Sequence, residues 1–267
     1  MKKFKALSAF IVLFSALAFT ACDTEPVDSE LIGNNPENPN PNNPNNPNNP
    51  NNPNNPGNPT NPGVSTGNYW PFAIGNEWVF VNGEGEESST LISSTAAVDG
   101  VPYYKVTSLF ADAGTGNMTG EATMLLRHNN GDYRVRVSVE VPSTPGMPSI
   151  SVSPYEYSIL KDYLAVGQTW SENVTQTTSY DMPGFPDIIT NLGFQGTILE
   201  KDATVTVNGV TYTNVIKLKL VQNINMQGQT SATTSIIWFA KDVGPLFSEA
   251  EGLGGEFSNS LIDYTLN

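Results

Sequence analysis

Tyr133-Arg134-Val135-Arg136-Val137-Ser138-Val139-Glu140-Val141 is the stretch on which the fold turns. Apolar and polar residues alternate along it without a break. A period of two gathers every apolar side chain on one face of an extended chain, so this is a strand with one wet side. The alternation returns in Ile216, Leu218 and Leu220 against Lys217 and Lys219, and in Val205 and Val207 against Thr204 and Thr206. Asn82-Gly83, Asp99-Gly100, Asn130-Gly131 and Asn208-Gly209 lie around these runs. Each dipeptide can supply the positive φ of a tight hairpin. No amphipathic helical pattern competes. The pattern predicts an all-β domain built as an antiparallel meander of hairpins. Sandwich, open barrel and half-barrel all satisfy it.

The sequence also echoes itself. Ile74-Gly75-Asn76-Glu77-Trp78 and Val166-Gly167-Gln168-Thr169-Trp170 share the pattern apolar-Gly-x-x-Trp. Val98-Asp99-Gly100-Val101-Pro102-Tyr103 and Val207-Asn208-Gly209-Val210-Thr211-Tyr212 follow in the same order. A glycine permits the bend, and a tryptophan three residues later starts a strand by burying its ring. This predicts two related β units within residues 68–267, divided as 68–157 and 158–267.

The N-terminal part carries no such pattern. Lys2, Lys3 and Lys5 precede an uncharged apolar run from Ala6 to Thr20, the layout of a secretory signal peptide over residues 1–21. The run is too short to span a bilayer comfortably. Cys22, the single cysteine, follows at once, so no disulfide can form within the chain. Phe19-Thr20-Ala21-Cys22 resembles the lipobox of bacterial lipoproteins, with phenylalanine in place of the usual leucine. The resemblance implies cleavage before Cys22 and acylation of its sulfur. Residues 22–67 then form a tether, acidic at Asp23, Glu25, Asp28 and Glu30 and almost wholly Asn and Pro from Asn34 to Pro62. The acidic run is similar to signals on surface-exposed lipoproteins of Bacteroidota. The Asn-Asn-Pro repeat has no apolar side chain with which to build a core. As a spacer it reaches about 30 Å as a coil and about 90 Å extended. The expected location is the outer membrane, lipid-anchored, with the domain either surface-exposed or facing the periplasm.

Charge narrows the partners. Loss of the signal removes three of the 12 basic residues and leaves the 26 acidic ones, a net charge of −17. Nucleic acid and anionic lipid headgroups do not suit such a surface. The expected partners are the membrane, through the lipid, and a glycan, an apolar ligand or an envelope protein.

A search for chemistry yields no catalytic residue, metal site or cofactor motif. His128 is the only histidine, sits at an expected hairpin tip and lacks a Gly-x-Ser-x-Gly partner. Glu84, Glu86 and Glu87 read as a solvated charge run, without a calcium-loop pattern. Arg134, Arg136, Lys217 and Lys219 are expected to pair with cross-strand acids or simply to keep the wet face soluble. Trp78, Trp170 and Trp238 are expected in the core. Candidate ligand-binding residues are Tyr69 and Trp70, where the tether meets the domain, and Met147, Met182 and Phe185 in two Pro- and Gly-containing loops. Apolar loop tips of this kind rim cavities or touch partners.

Tyr-x-Pro-x-x-x-Gly-x-x-Trp, from Tyr69 to Trp78, and Trp238-Phe239-Ala240-Lys241-Asp242-Val243-Gly244 resemble motifs at the two ends of a loosely defined group of secreted bacterial lipoproteins. The resemblance implies a β-rich domain and carries over no catalytic residue. The leading expectation is a lipid-anchored extracytoplasmic β module with a non-enzymatic binding or structural role. A carrier of an apolar ligand in a β cavity and a carboxylate-based hydrolase are the alternatives.

Overall fold

The computed structural model describes residues 63–107, 121–143, 148–252 and 255–267. Cys22, the Asn/Pro spacer and Met147 lie outside them. Twelve strands follow one another: β1 (Glu77–Asn82), β2 (Glu87–Val98), β3 (Val101–Val106), β4 (Glu121–Asn129), β5 (Asp132–Val141), β6 (Ile150–Lys161), β7 (Thr169–Tyr180), β8 (Ile188–Val207), β9 (Val210–Met226), β10 (Gln229–Ala240), β11 (Gly244–Gly252) and β12 (Gly255–Thr265). Each strand pairs with its sequence neighbours, and β12 pairs antiparallel with β1 to close the ring. The domain is therefore an all-β antiparallel meander, as the alternation predicts. It differs from a sandwich, an open barrel or a half-barrel in having its first and last strands joined. Closure gives every strand a hydrogen-bonded neighbour on each side and removes the two free edge strands that an open sheet would have to protect.

The decisive stretch behaves as read. Tyr133, Val135 and Val139 of β5 are buried, while Arg134, Arg136 and Glu140 lie on the other face. Asp99, Asn130 and Asn208 take positive φ, each with its following glycine, and turn the β2–β3, β4–β5 and β8–β9 hairpins. Asn82-Gly83 departs from expectation. Positive φ falls on Gly85, and the Asn82 side chain accepts hydrogen bonds from the Glu84 and Glu86 amides to brace a longer turn.

The two apolar-Gly-x-x-Trp motifs adopt one local structure. Gly75 donates to the Ile92 carbonyl (2.9 Å), and Ile92 donates back to Asn76 (2.9 Å). Gly167 donates to Ile198 (2.8 Å), and Ile198 donates back to Gln168 (3.1 Å). Both glycines take positive φ, at 90° and 81°. The motifs open β1 and β7, six places apart in a ring of twelve. Their tryptophans, Trp78 and Trp170, are both buried.

Trp170 also explains a glycine. A Cβ on Gly196, directly opposite in β8, would lie 2.0 Å from Trp170 Cζ2. Gly196→Ala is expected to destabilise the barrel by about 1–3 kcal/mol through overpacking. A urea-unfolding midpoint equal to that of the wild type would refute this.

The barrel has two unlike ends. At the near end lie the tight turns of β2–β3, β4–β5 and β8–β9, together with the segment 63–76 that precedes β1. That segment crosses the near end as a strap. Asp162, fully buried, accepts from Ser65 Oγ (2.6 Å) and the Thr66 amide (3.2 Å). The Tyr69 amide donates to the Tyr133 hydroxyl (2.8 Å), and that hydroxyl donates to the Gly67 carbonyl (3.1 Å). Trp70 lies against Phe239 (5.5 Å), Phe72 (5.8 Å) and the edge of Trp78 (6.3 Å). The tip of the β8–β9 hairpin adds to this end: Asn208 Nδ2 donates to the Leu261 carbonyl (2.8 Å), where β12 has left its β11 partner. The far end carries the β5–β6 and β7–β8 loops and the β9–β10 turn.

Candidate functional site

An eight-stranded barrel is just wide enough for its own side chains to fill, so a ring of twelve needs additional filling or keeps a lumen. The near half is filled. Its inward residues, among them Phe80, Ile92, Leu126, Leu218 and Phe239, are buried around the strap's Tyr69 and Trp70. Toward the far end, inward positions become half-buried. Met124 and Val137 sit at the edge of the core, followed by Tyr155 and Tyr157 on β6, Gln222 and Ile224 on β9, and Ser235 on β10.

One wall of this far interior is aromatic. Tyr157 stacks parallel on Phe194, with ring centroids 4.1 Å apart, and Tyr155 lies beside both at 6.3 and 6.4 Å. Both tyrosines stand deep in the protein's mass. Burial pushes the Tyr155 hydroxyl up to about 12 and the Tyr157 hydroxyl higher still. Each nonetheless keeps part of its surface accessible. The facing strands supply neutral polar groups. Register places Ser235 with Leu220 and Ala250, and Ser248 with Ile237 and Asn259, on the inner face.

A second constellation lies at the seam between β6 and β7. These strands share backbone pairs only from Ile150↔Tyr180 to Val152↔Thr178. Beyond that, side chains hold them together. Glu172 accepts from the Ser158 amide (3.1 Å), Trp170 Nε1 donates to the Ser158 carbonyl (3.2 Å), and the Thr177 amide donates to Ser153 Oγ (2.8 Å). Arg134 forms a fork here. Nη1 and Nη2 each donate to Glu172 at 3.0 Å, Nε donates to Glu156 at 2.6 Å, and Nη1 also reaches Asp132 at 3.2 Å. Arg127 and the Tyr103 hydroxyl complete the shell around Glu156. Glu172 lies opposite Phe194, on the inner face of β7, whereas Arg134 lies on the face of β5 away from the core. At this seam β7 therefore overlaps the outside of β5 and β6, which keeps the ions half-buried.

The electrostatics decide what the cluster can do. Burial alone would raise the Glu156 carboxyl, but hydrogen bonds from Arg127, Tyr103 and Arg134 hold it down at about 2. Burial also opposes ionisation of Glu172, and bonds from Arg134 and Ser158 lower it. A glycosidase needs one carboxyl kept protonated beside an ionised one. Here both are held ionised, so the pair has no proton to give at neutral pH. Its geometry suits a clasp that replaces missing ladder bonds.

The predicted site residues separate. Tyr69 and Trp70, 2% and 1% exposed, are part of the strap's aromatic plug and present no ring to solvent. Met182 and Phe185 are exposed at the far end, with Phe185 edge-on to Tyr180 at 4.7 Å. Trp238 is half-buried rather than core. It lies on the outer face of β10, against Phe247 (4.5 Å) and under the Lys217 ammonium (5.0 Å), because residues 237 and 239 take the inward positions. His128 is exposed and stacks on Tyr133 at 5.5 Å. Lys217 pairs with Glu200 (3.1 Å), and Arg134 pairs with cross-strand acids as expected. The sequence reading missed Tyr155, Tyr157, Phe194, Glu156 and Glu172. Only the aromatic alternation of Tyr155 and Tyr157 offered a local signal.

No protein-family model matches this chain, and no curated protein matches it. Two solved structures are similar. One is a candidate lipoprotein from Parabacteroides distasonis, 10% identical with a TM-score of 0.41 over 74% of this chain and 98% of that one. The other is a candidate exported protein with a YmcC-like fold from Bacteroides fragilis, 9% identical with a TM-score of 0.32 over the same shares. Both likenesses are weak, and the functional reading rests on the residues of this chain.

Proposed function

We propose that the protein is a lipid-anchored, extracytoplasmic β module at the outer membrane, with a non-enzymatic binding role served by the far end of its barrel. The observation that carries this is the strap. The chain from the tether meets the barrel at the near end, and Ser65 to Phe72 close that end with hydrogen bonds and aromatic packing. The far end, with its half-buried inward residues and the Met182–Phe185 loop, is the end opposite to the one at which the chain from the tether arrives. The ionised Glu156 and Glu172 weigh against the hydrolase alternative.

Two measurements on cells test the reading. Cys22→Ala is expected to release the protein from the membrane fraction or to leave an unprocessed precursor, and unchanged detergent partitioning would remove the anchor. A photo-crosslinking residue at Phe185, on the far end, is expected to capture envelope components. One at Val101, on a near-end turn, is expected to capture few, and the reverse ranking would overturn the assignment of the working end.

A further inference from the structure

We propose that the far half of the barrel interior binds a neutral saccharide. This rests on the reading of the far end as the working end, and it adds the chemistry of what enters there. Three observations converge. A ring of twelve strands is wide enough to keep a lumen, the strap packs into the near half, and the far-half inward residues Tyr155, Tyr157, Gln222, Ile224 and Ser235 are only half-buried. Tyr155, Tyr157 and Phe194 make a stacked aromatic wall whose two tyrosines keep accessible surface. Gln222, in register with Phe194 on the neighbouring β9, and Ser235, Ser248 and Asn259 on β10, β11 and β12 bring amides and hydroxyls to the same inner face.

The lining selects by chemistry. Among the described far-half inward positions the charged side chain is Glu172, and the seam takes it up through Arg134 and Ser158. A charged ligand entering this space would lose its hydration with no opposite charge to meet it. A hydrocarbon chain would cover the hydroxyls and amides without returning their hydrogen bonds. A sugar ring offers an apolar C–H face to an aromatic wall and hydroxyl edges to a neutral polar one. It answers both walls at once.

The test uses the mature full chain carrying Cys22→Ser, titrated calorimetrically with maltotriose, cellotriose, mannotriose, chitotriose and palmitate. At least one trisaccharide is expected to bind. Tyr157→Ala is expected to weaken that binding about tenfold through lost ring contact. Because Tyr157→Ala also disturbs packing, Ser235→Trp provides the second variant. A tryptophan placed in an open lumen is expected to abolish binding with little change in melting temperature. Binding of palmitate alone, or of none of the five, overturns the proposal. So does a Ser235→Trp chain that melts many degrees lower, because the lumen would then be full. If these arms fail while the Phe185 crosslink persists, the far end stands as the working end and only the saccharide is lost.

Discussion

Arg134→Ala is expected to lower the unfolding free energy by about 3–5 kcal/mol, because it leaves half-buried carboxylates without their counter-charge. The guanidinium bridges Glu156, Glu172 and Asp132, all with side chains less than one-fifth exposed. Lysine should restore only part of the loss, since one ammonium cannot span the positions that the fork reaches. The effect has a pH signature. Glu156 titrates at about 2 in the folded chain, down from an ordinary 4.5, and Glu172 is lowered as well. A depressed carboxyl contributes its stability above the unfolded value and loses it as pH falls through the folded one. The gap between wild type and Arg134→Ala should therefore be full at neutral pH and shrink between pH 4.5 and about 2. Urea unfolding at pH 7 and pH 3 measures it. A gap that stayed constant or widened on acidification would show that the fork does not hold these acids ionised.

Trp70→Ala is the second large effect, at about 3–5 kcal/mol. For a domain of this size that corresponds to a drop of roughly 6–20 °C in melting temperature. The ring is 1% exposed and is the part of the strap seated among Trp78, Phe239 and Phe72. Its loss should also loosen the strap ahead of the barrel. Limited proteolysis is expected to cut near residues 63–72 in the variant under conditions that spare the wild type. Equal melting and equal protection would mean that the strap only lies on the barrel without closing it.

These two sites also mark how far the sequence could be read. Alternation in β5 and in Ile216–Leu220 is local, and the structure keeps it. Asp99-Gly100, Asn130-Gly131 and Asn208-Gly209 are local too, and each makes its hairpin. Ring closure is not local. It pairs Glu77 with Thr265 and Asn82 with Asn259, and no pattern within either strand announces the other. The burial of Trp70 is not local either, since a segment with no strand period gives no sign that it will cross a barrel end. Glu172 sits in a polar run, Thr169–Tyr180, that reads as solvent-facing until β6 withdraws its backbone and leaves Glu172 to replace it. The aromatic pair Tyr155 and Tyr157 kept the strand period, but its stacking partner Phe194 lies two strands away.

The strap has a mechanical consequence. A pull arriving through the chain before Gly63 meets the Ser65, Thr66 and Gly67 contacts first, and these yield one after another, as a zip fastener does. Tearing β1 away instead requires its bonds to β12 and β2 to break together. Tension on the N-terminal side would thus be spent on peeling a short leash, while the staves behind it keep their shape.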